Sequence, residues 1–231
     1  MKILGTDFDN TLYFWNNAEL TAKNIEAAKR FVAQGNILCI ITGRTYMEIK
    51  QDLAQLNLPY TYLVCADGAL IFDSTDYCLK TVKLDQHIVE RAVEILRENG
   101  YDPYLEDGYN ITKNSADCIK VSSLYASDKN DGARVAKLIS DELKVYTYAS
   151  RRHVNVNNPL NDKKQAIYRL AEVANLDPNE FYLIGDDIND YEMLETFNKT
   201  ATVKNHNPIL DNLHLPVYET FADYIDELLK K

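Results

Sequence analysis

Asp7 and Asp9 stand two residues apart, directly after the apolar pair Ile3-Leu4. Alternate side chains of an extended chain share a face, so both carboxylates would lie on one side and repel each other. Further acids follow other apolar runs: Asp186, Asp187 and Asp190 after "FYLIG", and Asp67 after "YLVC". In an open parallel sheet, ligands bind beyond the carboxyl ends of the strands. If these runs are neighbouring strands, Asp7, Asp9, Asp186 and Asp190 meet on one rim. Several carboxylates cannot all stay ionised in so small a space without a counter-charge. A hard divalent cation, Mg2+ above all, supplies one and takes oxygen ligands from a few acids. Taken singly, each acid also reads as a helix cap or turn former.

The elements that would position these acids are legible along the chain. "AELTAKNIEAAKRFVAQG" carries Leu20, Ile25, Ala28, Phe31 and Val32 at helical spacing and stops at Gly35. "NILCIITGR" is apolar on both faces, as a strand buried in a parallel sheet is, and ends at Thr42-Gly43-Arg44. A helical stretch from Thr45, the strand "YTYLVCADG" and the returning arm "ALIFD" follow. Strand and helix alternating in this way predict a parallel sheet wrapped by helices.

Near Lys80 the rhythm changes. "DCIKVSSLYAS" and "KVYTYASRRHVNVNN" alternate polar with apolar, the latter as one long strand or two short ones, with helical stretches before each. That pattern predicts an inserted α+β module with an antiparallel sheet covered on one face. The parallel pattern returns with "DKKQAIYRLAEVANL", "FYLIGDD", "TATVKN" and a closing helix.

Composition narrows the function. The chain has 231 residues, 46% of them hydrophobic, and a formal charge of −10 with no basic cluster, which argues against nucleic acid or an anionic membrane as partner. No charge-free run approaches membrane-spanning length, and "MKILGTDFDN" does not read as a signal peptide. The four cysteines are scattered without C-x-x-C spacing, which fits reduced core cysteine and a cytoplasmic location. A calcium loop beginning at Asp7 fails, since Leu12 stands where glycine is needed and Ala18 where glutamate is needed. There is no phosphate-binding G-x-x-x-x-G-K-[ST] loop and no G-x-S-x-G elbow.

Four ordered segments, "DFDNTL", "IITGR", the lysine of "NDKKQAI" and "GDDINDYEML", resemble the motifs of the haloacid dehalogenase superfamily over the whole chain. Their spacing is similar to the Cof-type branch, which carries an α/β cap between the second and third motifs. The resemblance implies a Rossmann-like three-layer α/β core over residues 1–80 and 159–231, with an inserted α+β cap over 81–158. It implies a Mg2+-dependent phosphatase of small phosphorylated metabolites, sugar phosphates or phosphoglycolate, acting as monomer or homodimer. Asp7 would be the nucleophile and Asp9 the general acid and base. Thr42, Gly43 and Lys163 would hold the phosphoryl oxygens, and Asn189 would support the phosphate or the lysine. The metal set would be Asp7, the Asp9 carbonyl, Asp186 and Asp190, with Thr11 bracing the turn. An acid at position 9 suits phosphate-ester hydrolysis or phosphohexomutase chemistry. A non-catalytic phosphometabolite binder is the remaining alternative.

Two departures from the branch stand out. Asp67-Gly68 replaces its usual Asn-Gly, and Asp67 reads first as a turn residue. Lys164 follows Lys163 and could replace it, although Ala166 three positions on aligns Lys163 with the family lysine. In the cap, Arg151, Arg152, His153 and Asn155, with Tyr109, Asn110 and Lys113, could read the substrate or form a solvated strand edge.

Overall fold

The computed structural model describes residues 1–124, 131–150 and 153–230. Its first sheet contains β1 (Ile3–Thr6), β2 (Ile37–Ile41), β3 (Tyr62–Cys65), β4 (Leu70–Asp73) and β5 (Cys78–Thr81). Two helices lie between them, α1 (Ala18–Ala33) and α2 (Tyr46–Leu56). Next come α3 (Gln86–Glu98), β6 (Asp102–Glu106), β7 (Ile111–Thr112), β8 (Lys120–Leu124), α4 (Asp131–Leu143), β9 (Tyr146–Ser150) and β10 (His153–Asn157). The chain then returns to the first sheet through α5 (Lys163–Ala174), β11 (Phe181–Gly185), α6 (Tyr191–Thr196), β12 (Thr200–Val203), β13 (Val217–Tyr218) and α7 (Phe221–Lys230).

The first sheet runs β13-β12-β11-β1-β2-β3-β4-β5, parallel except for the antiparallel arms β4 and β5. Its strands alternate between two buried layers, as period-two side chains must. Leu4, Leu38 and Ile40 pack under α1, α2 and α7, while Ile3, Cys39 and Ile41 pack under α5 and α6. Both layers are apolar, which is why these strands read as continuous apolar runs rather than alternating ones.

The second sheet, β7-β6-β8-β10-β9, is antiparallel throughout. Leu105, Val121, Val154 and Val156 face α3 and α4, giving this part its own apolar cluster. The segment "KVYTYASRRHVNVNN" forms two paired strands, with Arg151 and Arg152 outside the described residues. Strands β6 and β7 carry too weak an alternation to be legible in the sequence; Pro103 and the exposed Ile111 break it.

Local chemistry fixes where the helices begin. Asn17 caps α1 by accepting from the Leu20 N–H, and Thr45 forms a reciprocal capping box with Glu48 on α2. Asp162 caps α5 by accepting from the Gln165 N–H, so Lys163 is the first residue of that helix. Three of the four cysteines, Cys39, Cys65 and Cys118, are buried as free thiols, as a core reading of the sequence expects. No helix among the described residues is long and apolar enough to cross a membrane.

Candidate active site

β1 lies between β11 and β2, so its carboxyl end is central on the rim. The Asp7 N–H donates to the Ile184 carbonyl (2.9 Å), extending the ladder one step beyond β1. Phe8 is fully buried and its ring stacks on Tyr13, with centroids 5.0 Å apart. Burying that ring contributes about 1.5–3 kcal/mol and anchors the short loop carrying both acids.

Behind Asp7 lies a buried ion cluster. Lys163 Nζ donates to Asp7 Oδ1 at 2.6 Å and to Asp190 Oδ1 at 2.7 Å, with no exposure of the lysine side chain. Asp190 Oδ2 accepts from the N–H groups of Asp186 (3.0 Å) and Asp187 (3.1 Å). Gly185 is required here, because a Cβ at that position would sit 2.3 Å from Asp190 Cγ. Thr11 Oγ1 donates to Asp186 Oδ1 at 3.0 Å, a tie to the β11 end rather than within its own turn.

Asp7, Asp186 and Asp190 bring carboxylate oxygens within 4.8 Å of one another. Three acids facing one ammonium leave an excess of negative charge. Burial pushes Asp7 well above the ordinary carboxylate range, Lys163 offsets part of this, and Asp190, Asp186 and Asp9 add to it. Burial and Asp190 likewise push Asp186 up to about 7. Lys163 is held charged, Asp190 and Asp7 outweighing its own burial. Buried carboxylates in such excess fit a hard divalent cation, with Asp7 and Asp186 placed to hold it. Asp190 belongs to the same acid group, and its two oxygens also fix Lys163 and the loop after β11.

A cavity of about 360 Å3 opens over the cluster. Asp7, Asp9, Thr42, Gly43, Asp186 and Asn189 line it from the first sheet. Asp9 stands apart from the three clustered acids. Arg44 Nε donates to its Oδ2 (2.7 Å) and the guanidinium to its Oδ1 (2.5 Å). Arg44 also pairs with Asp52 and lies over the rings of Phe8 and Tyr13 at 5.1 and 5.6 Å. Lys164 is not in this cluster; it pairs with Glu192 at 3.2 Å.

Asp67 is more than a turn residue. It adopts a left-handed conformation (φ 55°) and is 1% exposed. Its Oδ2 accepts from Lys120 Nζ (3.1 Å) and the Tyr148 hydroxyl (2.6 Å), both on the second sheet, and its Oδ1 accepts from Asn189 (3.3 Å). Lys120 also donates to the Gly43 carbonyl at 3.1 Å, and the Tyr46 N–H to the Gly108 carbonyl at 2.8 Å. Burial alone would raise Asp67, yet Lys120 and Tyr148 together hold it below the ordinary carboxylate value. This buried knot ties the two sheets together beside the cavity. Asp67→Leu would strand the Lys120 ammonium without its counter-charge, with an expected loss of about 3–5 kcal/mol in urea unfolding. Adding Lys120→Met should recover most of that loss. A double variant as unstable as the single one would remove the knot from the account.

The remaining cavity wall comes from the second sheet. His153 and Asn155 line it, as the sequence reading allows, together with Tyr104, Glu106, Lys120, Ser122 and Tyr148. Tyr109 instead packs edge-on against Tyr46 and Phe72, and neither Asn110 nor Lys113 reaches the cavity. Lys120 was not singled out by the sequence, since a lysine alternating with Val121 on a half-polar strand reads equally as a solvated position. Glu106 and Tyr148 were not singled out either, because their facing direction depends on strand register.

The model of the haloacid dehalogenase-like hydrolase family matches residues 4–131 and 106–217, most of the chain. The chain belongs to the haloacid dehalogenase-like hydrolases. The match and the relatives below fit a Cof-type phosphatase. This hydrolase is similar to the 5-amino-6-(5-phospho-D-ribitylamino)uracil phosphatase of Bacillus subtilis (strain 168), 22% identical over 256 residues, 89% of this chain and 88% of that one. Its fold is similar to a haloacid dehalogenase-like hydrolase from Bacteroides thetaiotaomicron (TM-score 0.80, 18% identity, 98% and 99% of the two chains). It is also similar to a subclass IIB sugar phosphatase (TM-score 0.80, 16% identity, 100% and 98%).

Proposed function

We propose that this hydrolase is a Mg2+-dependent phosphatase of small phosphomonoesters, of the sugar phosphate or phosphoglycolate class, working through an aspartyl-phosphate on Asp7. The observation that carries the reading is the buried Lys163 ammonium, 2.6 Å from Asp7 and 2.7 Å from Asp190, beneath a cavity lined by Asp7, Asp9 and Thr42. A carboxylate at this point can attack phosphorus while the ammonium steadies charge on the transferring oxygens. Mg2+, held by Asp7, Asp186 and the Asp9 carbonyl with Asp190 behind them, would neutralise the excess negative charge as the phosphate enters.

The chain's own residues then divide the work. A carboxylate oxygen of Asp7 forms the bond to phosphorus as the ester P–O bond breaks, and the leaving oxygen takes a proton from Asp9. In the second half, Asp9 takes a proton from water, whose oxygen attacks phosphorus and releases Asp7 and phosphate. Thr42, Gly43 and Asn189 line the cavity and would steady the phosphoryl oxygens. Arg44 holds both Asp9 oxygens, so one of them must leave the guanidinium for the acid to reach the ester. Residues 81–158 would act as the cap that excludes water and selects the leaving group.

The test is phosphate release from a panel of phosphorylated metabolites, with Mg2+ and with EDTA, for wild type and Asp9→Asn. Metal-dependent release, lost in the variant, is the expected result; release that survives EDTA would overturn the reading. The pH dependence adds a second check. Mg2+ binds ionised Asp7 and Asp186, both held above the ordinary carboxylate range, so its affinity in calorimetry should fall by about tenfold or more per pH unit below 7. The stability sign agrees. An acid whose folded pKa is raised stabilises the fold below its unfolded pKa, and that contribution is lost as pH rises through about 7. Mg2+ should therefore raise the melting temperature more at pH 8 than at pH 5.5.

A further inference from the structure

The inner face of the second sheet is chemically unlike its outer face. On β6, β8 and β10 the residues Leu105, Val121, Val154 and Val156 turn to the apolar cluster, and Tyr104, Glu106, Ser122 and Asn155 turn to the cavity. Register places Tyr104 opposite Ser122, and Ser122 opposite Asn155, on adjacent strands. These three and the neighbouring Glu106 thus form one continuous polar wall. Ser122 Oγ is within hydrogen-bond reach of both Glu106 Oε1 and Asn155 Oδ1 (3.1 Å for the latter).

Three properties of this wall bear on what can rest against it. Glu106 is only 7% exposed, and no cation lies within ion-pair distance of it among the described residues. The Lys120 ammonium nearby is already occupied by Asp67 and the Gly43 carbonyl. Glu48 of α2, whose Oε2 caps the helix by accepting from the Thr45 N–H and hydroxyl, adds a second carboxylate to the cavity from the first sheet's side. The cations lining the cavity, Lys120 and Arg44, are matched by Asp67 and by Asp9 and Asp52. Although burial raises Glu106, it has no such match, so the wall presents acceptors and an unmatched carboxylate, with amide and hydroxyl groups between them. Carboxylates and side-chain amides pair well with hydroxyl groups, whereas a second anionic group here would meet like charge in a region of low dielectric. A cavity of about 360 Å3 that also holds the phosphate leaves room for a small leaving group.

We infer that Glu106, with Ser122 and Asn155, makes this enzyme selective for phosphate esters of uncharged polyols and sugars and against esters whose leaving group carries a carboxylate. The inference rests on the phosphatase reading and chooses between its two substrate classes. Glu106 acts by repelling a leaving-group carboxylate and accepting from a hydroxyl, so both substrate binding and turnover should register it.

The matched pair of glycerol 3-phosphate and 3-phosphoglycerate tests this directly, because a hydroxymethyl group in one replaces a carboxylate in the other. For wild type with Mg2+, kcat/KM should favour glycerol 3-phosphate by about a hundredfold. Glu106→Gln should shrink that ratio about tenfold, and Asn155→Asp, which adds a carboxylate to the same wall, should widen it. Folding of each variant is checked by its melting curve, and Asn155→Asp carries the test if Glu106→Gln does not fold. Calorimetric binding of the same two esters to Asp7→Asn gives the preference without turnover. Equal kcat/KM values for the pair in wild type, or an unchanged ratio in a folded variant, would overturn the inference. Should no ester be hydrolysed while the binding preference holds, the catalytic reading falls and the selectivity of the wall stands.

Discussion

Asp7→Asn is expected to lower phosphate release by about ten-thousandfold or more, with the fold intact. The size follows from role rather than from lost binding. An amide cannot form the aspartyl-phosphate, and removing a nucleophile that acts with its partners as one unit forfeits most of what the unit does. The fold should survive because the replacement is nearly isosteric and the Lys163 ammonium keeps Asp190 at 2.7 Å. Without metal the variant should even melt slightly higher at pH 8. Burial pushes wild-type Asp7 well above the ordinary range, so its ionisation costs stability as pH rises, and the amide escapes that cost. The gain should fade toward pH 4. Parallel assays of phosphate release and thermal melting check both halves, and near-normal turnover in the variant would end the covalent mechanism.

The second large effect is on Lys163. Lys163→Met should cost about 3–5 kcal/mol of folding stability in metal-free protein and about a thousandfold in kcat. Its side chain has no exposure and bridges two acids, Asp7 and Asp190, that lie almost as deep. Methionine fills the space but leaves two buried carboxylates facing each other without the ammonium between them. They can relieve the repulsion by taking up a proton, so the variant should regain stability as pH falls from 8 to 5. Mg2+ should also restore part of the stability but little of the rate, since the metal cannot occupy the position of Nζ. Lys164→Met is the internal comparison: its exposed pair with Glu192 contributes at most about 1 kcal/mol. Equal losses in the two variants, by urea unfolding and turnover, would contradict the placement of Lys163.

The parallel core was legible in the sequence because strands buried on both faces must be apolar at every position. "ILCII" and "FYLIG" could hardly be anything else, and each ends where an acid or a Thr-Gly pair begins. The gathering of Asp7, Asp186 and Asp190 followed from the same logic, since strand ends of one parallel sheet share a rim, whereas Lys163 was expected there only from the family resemblance. The functional residues of the second sheet were not legible in this way. Asp67 looked like a turn former because its local role is indeed a turn, and its buried pairing with Lys120 spans 53 positions of sequence. Nothing local distinguishes a lysine that will be desolvated by a distant carboxylate from one on a solvated strand edge.

Arg44 illustrates the same limit on the core side. Its place in "TGR" was plain, but its grip on both oxygens of Asp9 arises from packing over Phe8 and Tyr13. By itself, then, the sequence determined the α/β core, the inserted α+β module and the acids of the rim, since periodicity and strand-end position are local properties. Tertiary structure alone decided that Asp190 is locked behind Lys163, that Asp67 knots the two sheets, and that Glu106 faces the cavity. Each of these depends on strand register and on which charges share a desolvated space, and both are set only when distant segments pack together.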